Sequence, residues 1–309
     1  MSLVLVFIDG LGLGRETASN PLCSGTMPFF RDLLDGCPLT QETVGQGKTG
    51  PDWLIQPTDA SLGVSGLPQS ATGQTAFLTG VNAAQLAGRH IHGFPTRGLR
   101  QILNERSVFK ALNEQGCNAT FANTFTEEYF TMMTRGKIRH SATTTAALAG
   151  GCRLRMIPDL LRGEAVYQDI TNQMLIEKGY QVPLLEPEAA ARNLLKVAEI
   201  NQFTLFEYFQ TDRCGHAQDP VWAERILVCL DRLIGTLVAQ RPESLTLVIT
   251  SDHGNIEDLS VKTHTYNPIP TMAFGPQARC FQSVGTLTDL YFALLNALDV
   301  GHLSGLELS

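Results

Sequence analysis

The sequence lacks the features that mark several large classes of protein. Its seven cysteines are an odd number without paired spacing, which excludes a zinc knuckle and disfavours a disulfide framework. No apolar run approaches the roughly 20 residues that a membrane helix needs. The apolar opening stretch has no basic flank and reaches Asp9 too early for a signal sequence. We therefore expect a soluble cytoplasmic protein with reduced thiols and no membrane contact.

Positive charge is not in excess. The 23 Lys and Arg residues against 30 Asp and Glu residues give a formal net charge of −7. Nucleic acids favour concentrated positive charge, so no nucleic-acid partner is expected. A hydrophobic share of 43% and a charged share of 17% are typical of a globular protein with a substantial core. Length alone allows one large domain or two, but no Pro/Gly-rich linker appears, and we predict one domain over residues 1–309.

Apolar runs alternate with helical patterns along much of the chain. Such alternation predicts an α/β fold with a mostly parallel central sheet and helices on both faces. The predicted strands are residues 3–8, 118–122, 204–209 and 245–250, and the predicted helices are residues 107–115, 188–198, 220–239 and 287–298. The alternation weakens between residues 124 and 187, which suggests an inserted lid or a reduced cap.

Polar residues follow three of the predicted strands. Asp9 follows the first strand, Asp212 follows the third, and Asp252 with His253 follows the fourth. Ligands of open parallel sheets collect at the carboxyl ends of the strands. These side chains are therefore expected to meet on one rim of the sheet.

Carboxylates and imidazoles recur at spacings that suit metal binding. Asp212 and His216 are four residues apart, so one helical turn places them on the same side. As an isolated pair they would be an ordinary surface Asp and His, but Asp252-His253 repeats the theme and His264 follows. Oxygen and imidazole donors without thiolates suit Zn²⁺ or Mn²⁺, whereas Ca²⁺ prefers oxygen alone. Together with Asp9, these residues suffice for two adjacent ions.

A serine in the segment of residues 66–80 is the candidate nucleophile. Ser70 is predicted to precede a helix, where backbone amides and the helix dipole favour an anion such as a phosphoryl group. A metal ion at its hydroxyl would lower the pKa of that hydroxyl. The alternative is that Ser70 only caps the helix.

The order of these motifs resembles the alkaline phosphatase superfamily, and in particular its branch of cofactor-independent phosphoglycerate mutase and phosphopentomutase. The resemblance covers about the first 90 residues and the chain after about residue 189. The runs Asp252-His-Gly-Asn and His264-Thr-Tyr-Asn-Pro-Ile-Pro are particularly similar to the mutase. The resemblance implies a phosphoserine intermediate and two divalent ions, Mn²⁺ or Zn²⁺.

The resemblance also implies a role for each motif residue. One ion would be held by Asp9, Ser70, Asp252 and His253, and the other by Asp212, His216 and His264. Ser70 matches the family nucleophile because it lies three residues before Gly73 and ten before Gly80. Thr72 is the reserve candidate.

The chain departs from the mutases in the region of their cap domain. It is too short for a full cap and has no counterpart of the cap motif Asp-Gly-Gly-Val-His. A smaller lid excludes water less well, which favours hydrolysis of a phosphate ester over transfer. A phosphomutase is the alternative, because a lid of this size can still close over a small phosphorylated substrate.

A basic cluster after the predicted nucleophile helix is the candidate substrate-binding region. It consists of Arg89, His90, His92, Arg97 and Arg100. Cationic side chains suit a small phosphorylated substrate, although a hydrated surface turn would look the same. A second candidate is the basic group of Arg135, Lys137, Arg139 and His140.

Functions of other classes fit the sequence less well. The run Gly10-Leu-Gly-Leu-Gly14 hints at dinucleotide binding, but Arg15 stands where the third glycine of that fingerprint belongs. A serine hydrolase is disfavoured because Ser70 lacks the flanking glycines of a nucleophile elbow. A noncatalytic metal-binding relative of the family is the remaining alternative, although every chemical group of the site is present.

Overall fold

The computed structural model describes residues 1–300. Its strands are β1 (Ser2–Ile8), β2 (Lys48–Thr49), β3 (Trp53–Thr58), β4 (Ala119–Phe121), β5 (Thr124–Phe125), β6 (Arg155–Met156), β7 (Phe203–Tyr208), β8 (Leu245–Thr250) and β9 (Ile269–Phe274). Its α-helices are α1 (Pro28–Leu33), α2 (Gln41–Val44), α3 (Ser70–Thr79), α4 (Ala83–Ala87), α5 (Arg97–Arg106), α6 (Val108–Glu114), α7 (Glu127–Thr134), α8 (Ala142–Ala149), α9 (Ile157–Leu161), α10 (Gln173–Glu177), α11 (Pro187–Glu199), α12 (Gln210–Ala217), α13 (Pro220–Gln240) and α14 (Leu287–Ala297). Short 3₁₀ helices cover Pro21–Cys23 and Ala278–Phe281.

A seven-stranded sheet forms the centre, in the order β2-β3-β9-β8-β1-β7-β4. The pairs β8–β1, β1–β7 and β7–β4 are parallel, whereas β9 runs antiparallel to both of its neighbours. Consequently β1, β3, β4, β7 and β8 all run in one direction. The predicted α/β class with a mostly parallel sheet is confirmed.

Both faces of the sheet are covered, as the continuous apolar strands require. Along β1, Val4 and Val6 pack into one core and Leu5 and Phe7 into the other, because successive side chains point to opposite faces. α11 and α13 cover the first face, while α3, α6, α8 and α14 cover the second. The prediction of helices on both faces is confirmed.

Local sequence signals set the ends of several helices. Asp219 caps α13, where its carboxylate accepts hydrogen bonds from the backbone N–H groups of Val221 and Trp222, and Pro220 occupies the first helical position. Apolar residues at helical spacing then bury one side of α13 against the sheet. This long helix directly follows α12, so its packing holds α12 at the carboxyl edge of β7.

The segment of residues 124–187 divides into two parts. α8 belongs to the core, because six of its eight residues are buried and it packs against α3, α5 and α6. α7 has no buried residue and lies over the end of the sheet where β7 stops. α7 and residues 176–186 have the exposure that a lid needs. The lid and the single-domain boundary stay predictions. Over residues 1–300, every helix is too short or too polar to cross a membrane.

Candidate metal centre and cavity

Three neighbouring parallel strands bring the predicted ligands together. β1 lies between β8 and β7, and their carboxyl ends share one edge of the sheet. Asp9 follows β1, and Asp252 with His253 follows β8. α12, which follows β7, carries Asp212 and His216 one turn apart. Residues far apart in sequence thus reach one site because the strands that deliver them are adjacent.

His253 is the centre of one group of donors, here called the His253 cluster: Asp9, Ser70, Asp252 and His253. Its Nε2 atom lies 3.0 Å from Ser70 Oγ, 3.3 Å from Asp9 Oδ1 and 3.6 Å from Asp252 Oδ2. Ligand atoms of Asp9, Asp252 and His253 all lie within 4.8 Å of one another. The structure therefore gathers all four residues predicted for one ion.

Asp212, His216 and His264 form a second group, here called the Asp212 triangle. Asp212 Oδ1 is 3.4 Å from the Nε2 atom of each histidine, and the two Nε2 atoms are 3.3 Å apart. Donors at the corners of a tetrahedron around an ion with ligand distances of about 2.0–2.1 Å are about 3.3–3.4 Å apart. The triangle therefore has the size of one face of a tetrahedral site.

Hydrogen bonds to backbone carbonyls orient both histidines of the triangle. His264 Nδ1 is 2.7 Å from the Pro68 carbonyl, and His216 Nδ1 is 2.6 Å from the Lys262 carbonyl. A carbonyl only accepts, so each Nδ1 carries the proton and each Nε2 keeps its lone pair for the site. This is the usual arrangement of metal-ligating histidines.

Burial shifts the pKa values of the His253 cluster. Burial raises the pKa of Asp252 to about 7, and the negative charge of Asp212 adds to the shift while a hydrogen bond from Gln74 opposes it. Burial and the charge of Asp252 raise the pKa of Asp9 well above its usual range. Burial, helped by the charge of His264, lowers the pKa of His253 to about 3. A cation would stabilise both carboxylates in their charged form and meet a neutral imidazole.

Unsatisfied polar atoms provide a separate test of whether a metal ion fits. Asp9 Oδ1 is buried and accepts no hydrogen bond from any of the described residues. Buried carboxylate oxygens normally have a partner, so this oxygen is available to bind a cation. The donors are carboxylate, hydroxyl and imidazole, a set that accommodates Zn²⁺ or Mn²⁺. The residues present therefore fit two divalent ions.

Comparison with known proteins agrees with this geometry. The sequence profile of the metalloenzyme superfamily matches residues 1–301. The chain belongs to the metalloenzyme superfamily. No curated protein sequence matches this superfamily member significantly.

Solved structures share the fold of this metalloenzyme chain. The PH0037 protein from Pyrococcus horikoshii matches with a TM-score of 0.57 and 15% identity over 97% of both chains. The alkaline phosphatase of the Antarctic bacterium TAB5 has a TM-score of 0.56 and 15% identity, over 97% of this chain and 98% of that one. The alkaline phosphatase of Thermus thermophilus has a TM-score of 0.55 and 11% identity, over 96% and 91%. The predicted alkaline phosphatase-like fold is confirmed.

Glu257 ties together the loops that carry the metalloenzyme site. Its Oε2 accepts hydrogen bonds from the backbone N–H groups of Gly12 and Asn255, at 3.0 and 2.7 Å. Its Oε1 accepts from the Thr265 hydroxyl and, at 3.0 Å, from Asn267 Nδ2. The glycine-rich loop after β1 is thus packed against Glu257, which leaves it closed to a dinucleotide phosphate. One buried carboxylate fixes the loops behind Asp9, His253 and His264.

The start of α3 distinguishes Ser70 from the nearby threonines. Ser70 Oγ faces His253, as described above. The Thr72 hydroxyl donates to the Gln69 carbonyl at 3.1 Å, and the Thr75 hydroxyl donates to the Ala71 carbonyl at 2.6 Å. Both threonine hydroxyls are therefore engaged with the backbone, and Ser70 alone of the three contacts the metal-site residues.

A cavity of about 660 Å³ opens onto the site. Asp9, Ser70, Gln74, Asp212 and His216 line its metal end. Residues of the segment around α7, including Tyr129, Met132 and Arg139, line the far end. A substrate that fills the cavity would contact the candidate nucleophile and the candidate lid together.

Only one member of the predicted substrate-binding cluster lines this cavity. His92 lines it, and His92 Nδ1 lies 3.0 Å from Gln69 Oε1. Its lining does not include Arg89, His90, Arg97 and Arg100. His90 instead contacts the Val64 carbonyl at 3.1 Å. Of the second basic group, Arg139 lines the cavity.

Several cavity residues were not predicted from the sequence. Arg213 and Lys178 line the cavity as exposed cations, and Glu207 and Gln74 are buried beside the ligands. Two of them had a signal in the sequence. Arg213 lies inside the run from Asp212 to His216, and Gln74 lies one helical turn after Ser70. The other two depend on contacts that only the tertiary structure creates.

Proposed function

We propose that the protein is a metal-dependent phosphoryl-transfer enzyme with Ser70 as its nucleophile. We propose further that it hydrolyses a phosphate ester and does not return the phosphoryl group to the substrate. The observation that carries the proposal is the position of Ser70 Oγ, 3.0 Å from His253 Nε2 and among the candidate metal donors at the end of a cavity. Such a hydroxyl beside a metal centre is typical of covalent phosphoryl transfer.

Two divalent ions, Mn²⁺ or Zn²⁺, are the proposed cofactors. Asp9, Ser70, Asp252 and His253 would hold one, and the Asp212 triangle would hold the other. Bound ions would supply positive charge for the phosphoryl oxygens and lower the pKa of the Ser70 hydroxyl.

The protein's own groups provide position and charge. α3 begins at Ser70, where the positive end of the helix dipole favours a phosphoryl oxygen. The Gln69 side chain does not cap the helix, but the Ala71 N–H already donates to the Ile91 carbonyl at 3.1 Å. Arg213, which follows Asp212 in the chain, lines the cavity as an exposed cation and is suited to contact the phosphate of a small substrate. Arg139 is also an exposed cation of the lining and could contact another part of that substrate. In the reaction, a bond forms between Ser70 Oγ and phosphorus while the bond to the alcohol oxygen breaks, and the alcohol leaves with a proton.

Exposure of the site favours water as the second acceptor. The His216 side chain is 39% exposed, and the Asp212 side chain is 18% exposed. Ser70 is itself buried, but it lines the same cavity as these residues. Water that enters the cavity could therefore reach a phosphoserine at residue 70 and release phosphate, which restores the hydroxyl. A phosphomutase would instead return the phosphoryl group to the substrate before water enters.

The seven free cysteines support a cytoplasmic location, which is also part of the proposal.

The test is to measure phosphate release from a panel of phosphate monoesters, with purified protein supplied with Mn²⁺ or Zn²⁺. We expect turnover that a chelator abolishes and a phosphoserine that maps to residue 70 in acid-quenched samples. Ser70→Ala should lose at least a thousandfold in kcat because the attacking group is removed, and it should keep its metal content because Asp9, Asp252 and His253 remain as ligands of that ion. Thr72→Val is the matched control and should retain turnover.

Different outcomes separate the alternatives. Return of the labelled phosphoryl group to substrate, without free phosphate, would favour the mutase. Bound metal with neither turnover nor phosphoserine would indicate a noncatalytic relative and contradict the proposal. Loss of activity in Thr72→Val but not in Ser70→Ala would move the nucleophile to Thr72.

A further inference from the structure

Aromatic side chains form much of the cavity wall beyond Ser70. We call this wall the aromatic chamber, and it comprises Phe94, Phe121, Phe125, Tyr129, Tyr167 and Phe209. The residues come from four separate parts of the chain, so the chamber is a product of the tertiary fold. A site for a purely polar sugar phosphate would instead be expected to present hydrogen-bonding groups.

Contacts between rings hold part of the chamber in place. Phe125 packs edge-on against Phe121 with ring centroids 6.0 Å apart, and against Tyr129 at 4.9 Å. The Tyr129 hydroxyl lies 2.7 Å from His140 Nδ1, which anchors the free end of that ring. Phe121 and Tyr167 are buried. Phe121, Phe125 and Tyr129 are therefore organised before a ligand arrives, which reduces the entropic cost of binding.

Polar groups beside the chamber are largely occupied within the protein. Asn123 exchanges hydrogen bonds with the backbone of Glu207, donating to its carbonyl and accepting from its N–H, both at 2.8 Å. The Thr143 hydroxyl donates to Glu207 Oε2 at 2.7 Å. Gln168 Nε2 donates to the Tyr167 hydroxyl at 3.2 Å. Asn123 and Thr143 therefore have little left to offer the hydroxyls of a polar leaving group. The Thr124 hydroxyl is an exception, because it lines the cavity and has no partner among the described residues.

We infer that the chamber binds the leaving group of the substrate, and that this group carries a flat, largely apolar ring a short distance from the phosphate ester. The inference rests on the proposed function and adds the class of substrate to it. A volume of about 660 Å³ is that of a pocket for a ligand larger than a triose or pentose phosphate. Aromatic rings pack favourably on aromatic rings, and the chamber supplies several next to the phosphoryl site.

Matched pairs of substrates test this inference. Phenethyl phosphate and ethyl phosphate have similar alkoxide leaving groups and differ mainly in the ring. We expect kcat/KM to be at least tenfold higher for phenethyl phosphate, because the extra apolar contacts act in the transition state. Adenosine 5′-monophosphate and ribose 5-phosphate form a second pair, which shows whether a nucleobase serves as well as a hydrocarbon ring.

Variants of the chamber provide the decisive comparison. Phe125→Ala should reduce the preference for the ring-bearing member of a pair about tenfold. Phe94→Ala should reduce it in the same direction, and because Phe94 is 48% exposed, this variant should fold normally. Phe292→Ala is the control, since Phe292 is exposed on α14 outside the cavity lining and its loss should leave the preference unchanged.

The outcomes separate this inference from the proposed function. If phosphoserine forms but both pairs react equally, or if Phe94→Ala and Phe125→Ala keep the wild-type preference, the chamber does not select the leaving group and the inference fails alone. If no ester is turned over and residue 70 is never phosphorylated, the proposed function itself fails. A preference for the ring that both variants reduce and Phe292→Ala keeps would support the inference.

Discussion

Gln74 shows how much a single neutral side chain can contribute to a site of like charges. Its Nε2 donates to Asp252 Oδ2 at 3.0 Å and to Asp9 Oδ2 at 3.4 Å, so one amide group bridges two carboxylates. We expect Gln74→Leu to weaken binding of Mn²⁺ or Zn²⁺ by about 10- to 100-fold, the usual cost of losing a group that orients ligands. Isothermal titration of the metal-free protein measures this, and Gln101→Leu on exposed α5 is the control. Equal affinity in both variants would contradict the role of Gln74.

Glu207 gives a prediction about pH. Burial raises its pKa to about 7, whereas its usual value is 4.5. A carboxyl whose pKa is higher in the folded state stabilises the fold below its unfolded pKa and loses that contribution as pH rises through the folded value. In metal-free protein, the free energy of unfolding of the wild type should therefore fall by up to ~3 kcal/mol, relative to that of Glu207→Gln, as the pH rises from 4.5 to 7. Urea unfolding at a series of pH values measures the difference, and a difference that stays constant with pH would rule out the buried titration.

At the scale of elements, the approach of α3 to the loop after β8 depends on Gly73. A Cβ atom at this position would lie 2.8 Å from the Asp252 carbonyl oxygen and 3.1 Å from Asp252 Cβ. We expect Gly73→Ala to push α3 away from the metal-site loop, to cost about 1–3 kcal/mol of stability and to lower activity. Chemical denaturation and kinetic assays of the variant test this.

Gly98 provides a matched control for that substitution. It also lies in a helix, α5, but a Cβ there would meet no atom within 4 Å. Gly98→Ala should leave stability unchanged or raise it by up to about 1 kcal/mol, because alanine favours the helix and reduces the entropy of the unfolded chain. If both variants lose stability equally, the contact between α3 and the loop is not the cause.

At the scale of the whole molecule, folding and metal binding should be linked. The donors come from the ends of β1 and β8, from α3 and α12, and from the loop before β9, so the unfolded chain has no comparable site. A free ion concentration of 100–1,000 times the dissociation constant should stabilise the folded protein by about 3–4 kcal/mol. Thermal unfolding of chelator-treated protein with and without Mn²⁺ or Zn²⁺ measures this. His216→Ala should show a smaller increase in Tm, and an unchanged Tm in the wild type with every ion tested would argue against the metal centre.

Several elements could be predicted closely from the sequence. The predicted strand at residues 245–250 coincides with β8, and the predicted helix at residues 220–239 differs from α13 by one residue. These segments have strong local signals, namely continuous apolar runs for buried strands and a Pro-capped amphipathic pattern for the helix. The polar residues that follow the strands can also be read directly from the sequence, so the metal-ligand set could be predicted from it.

The antiparallel edge of the sheet was not predicted, because its signal is not local. β3 and β9 each contain a proline, Pro57 and Pro270, which stand opposite each other in the ladder. Proline weakens a strand pattern, and these two segments become strands only by pairing across more than two hundred residues of sequence. The pairing depends on the burial of both segments against the rest of the sheet.

The sequence by itself determined four strands and four helices of the core and the polar residues at the strand ends, since these depend on local periodicity. The family followed from the resemblance of its motifs. The tertiary structure decided which cations and rings line the cavity: Arg213 and the aromatic chamber line it, whereas Arg89 and Arg97 do not. The physical reason is that a cavity wall is made by side chains from separate segments. Their meeting depends on packing between elements, which spacing along one segment cannot encode.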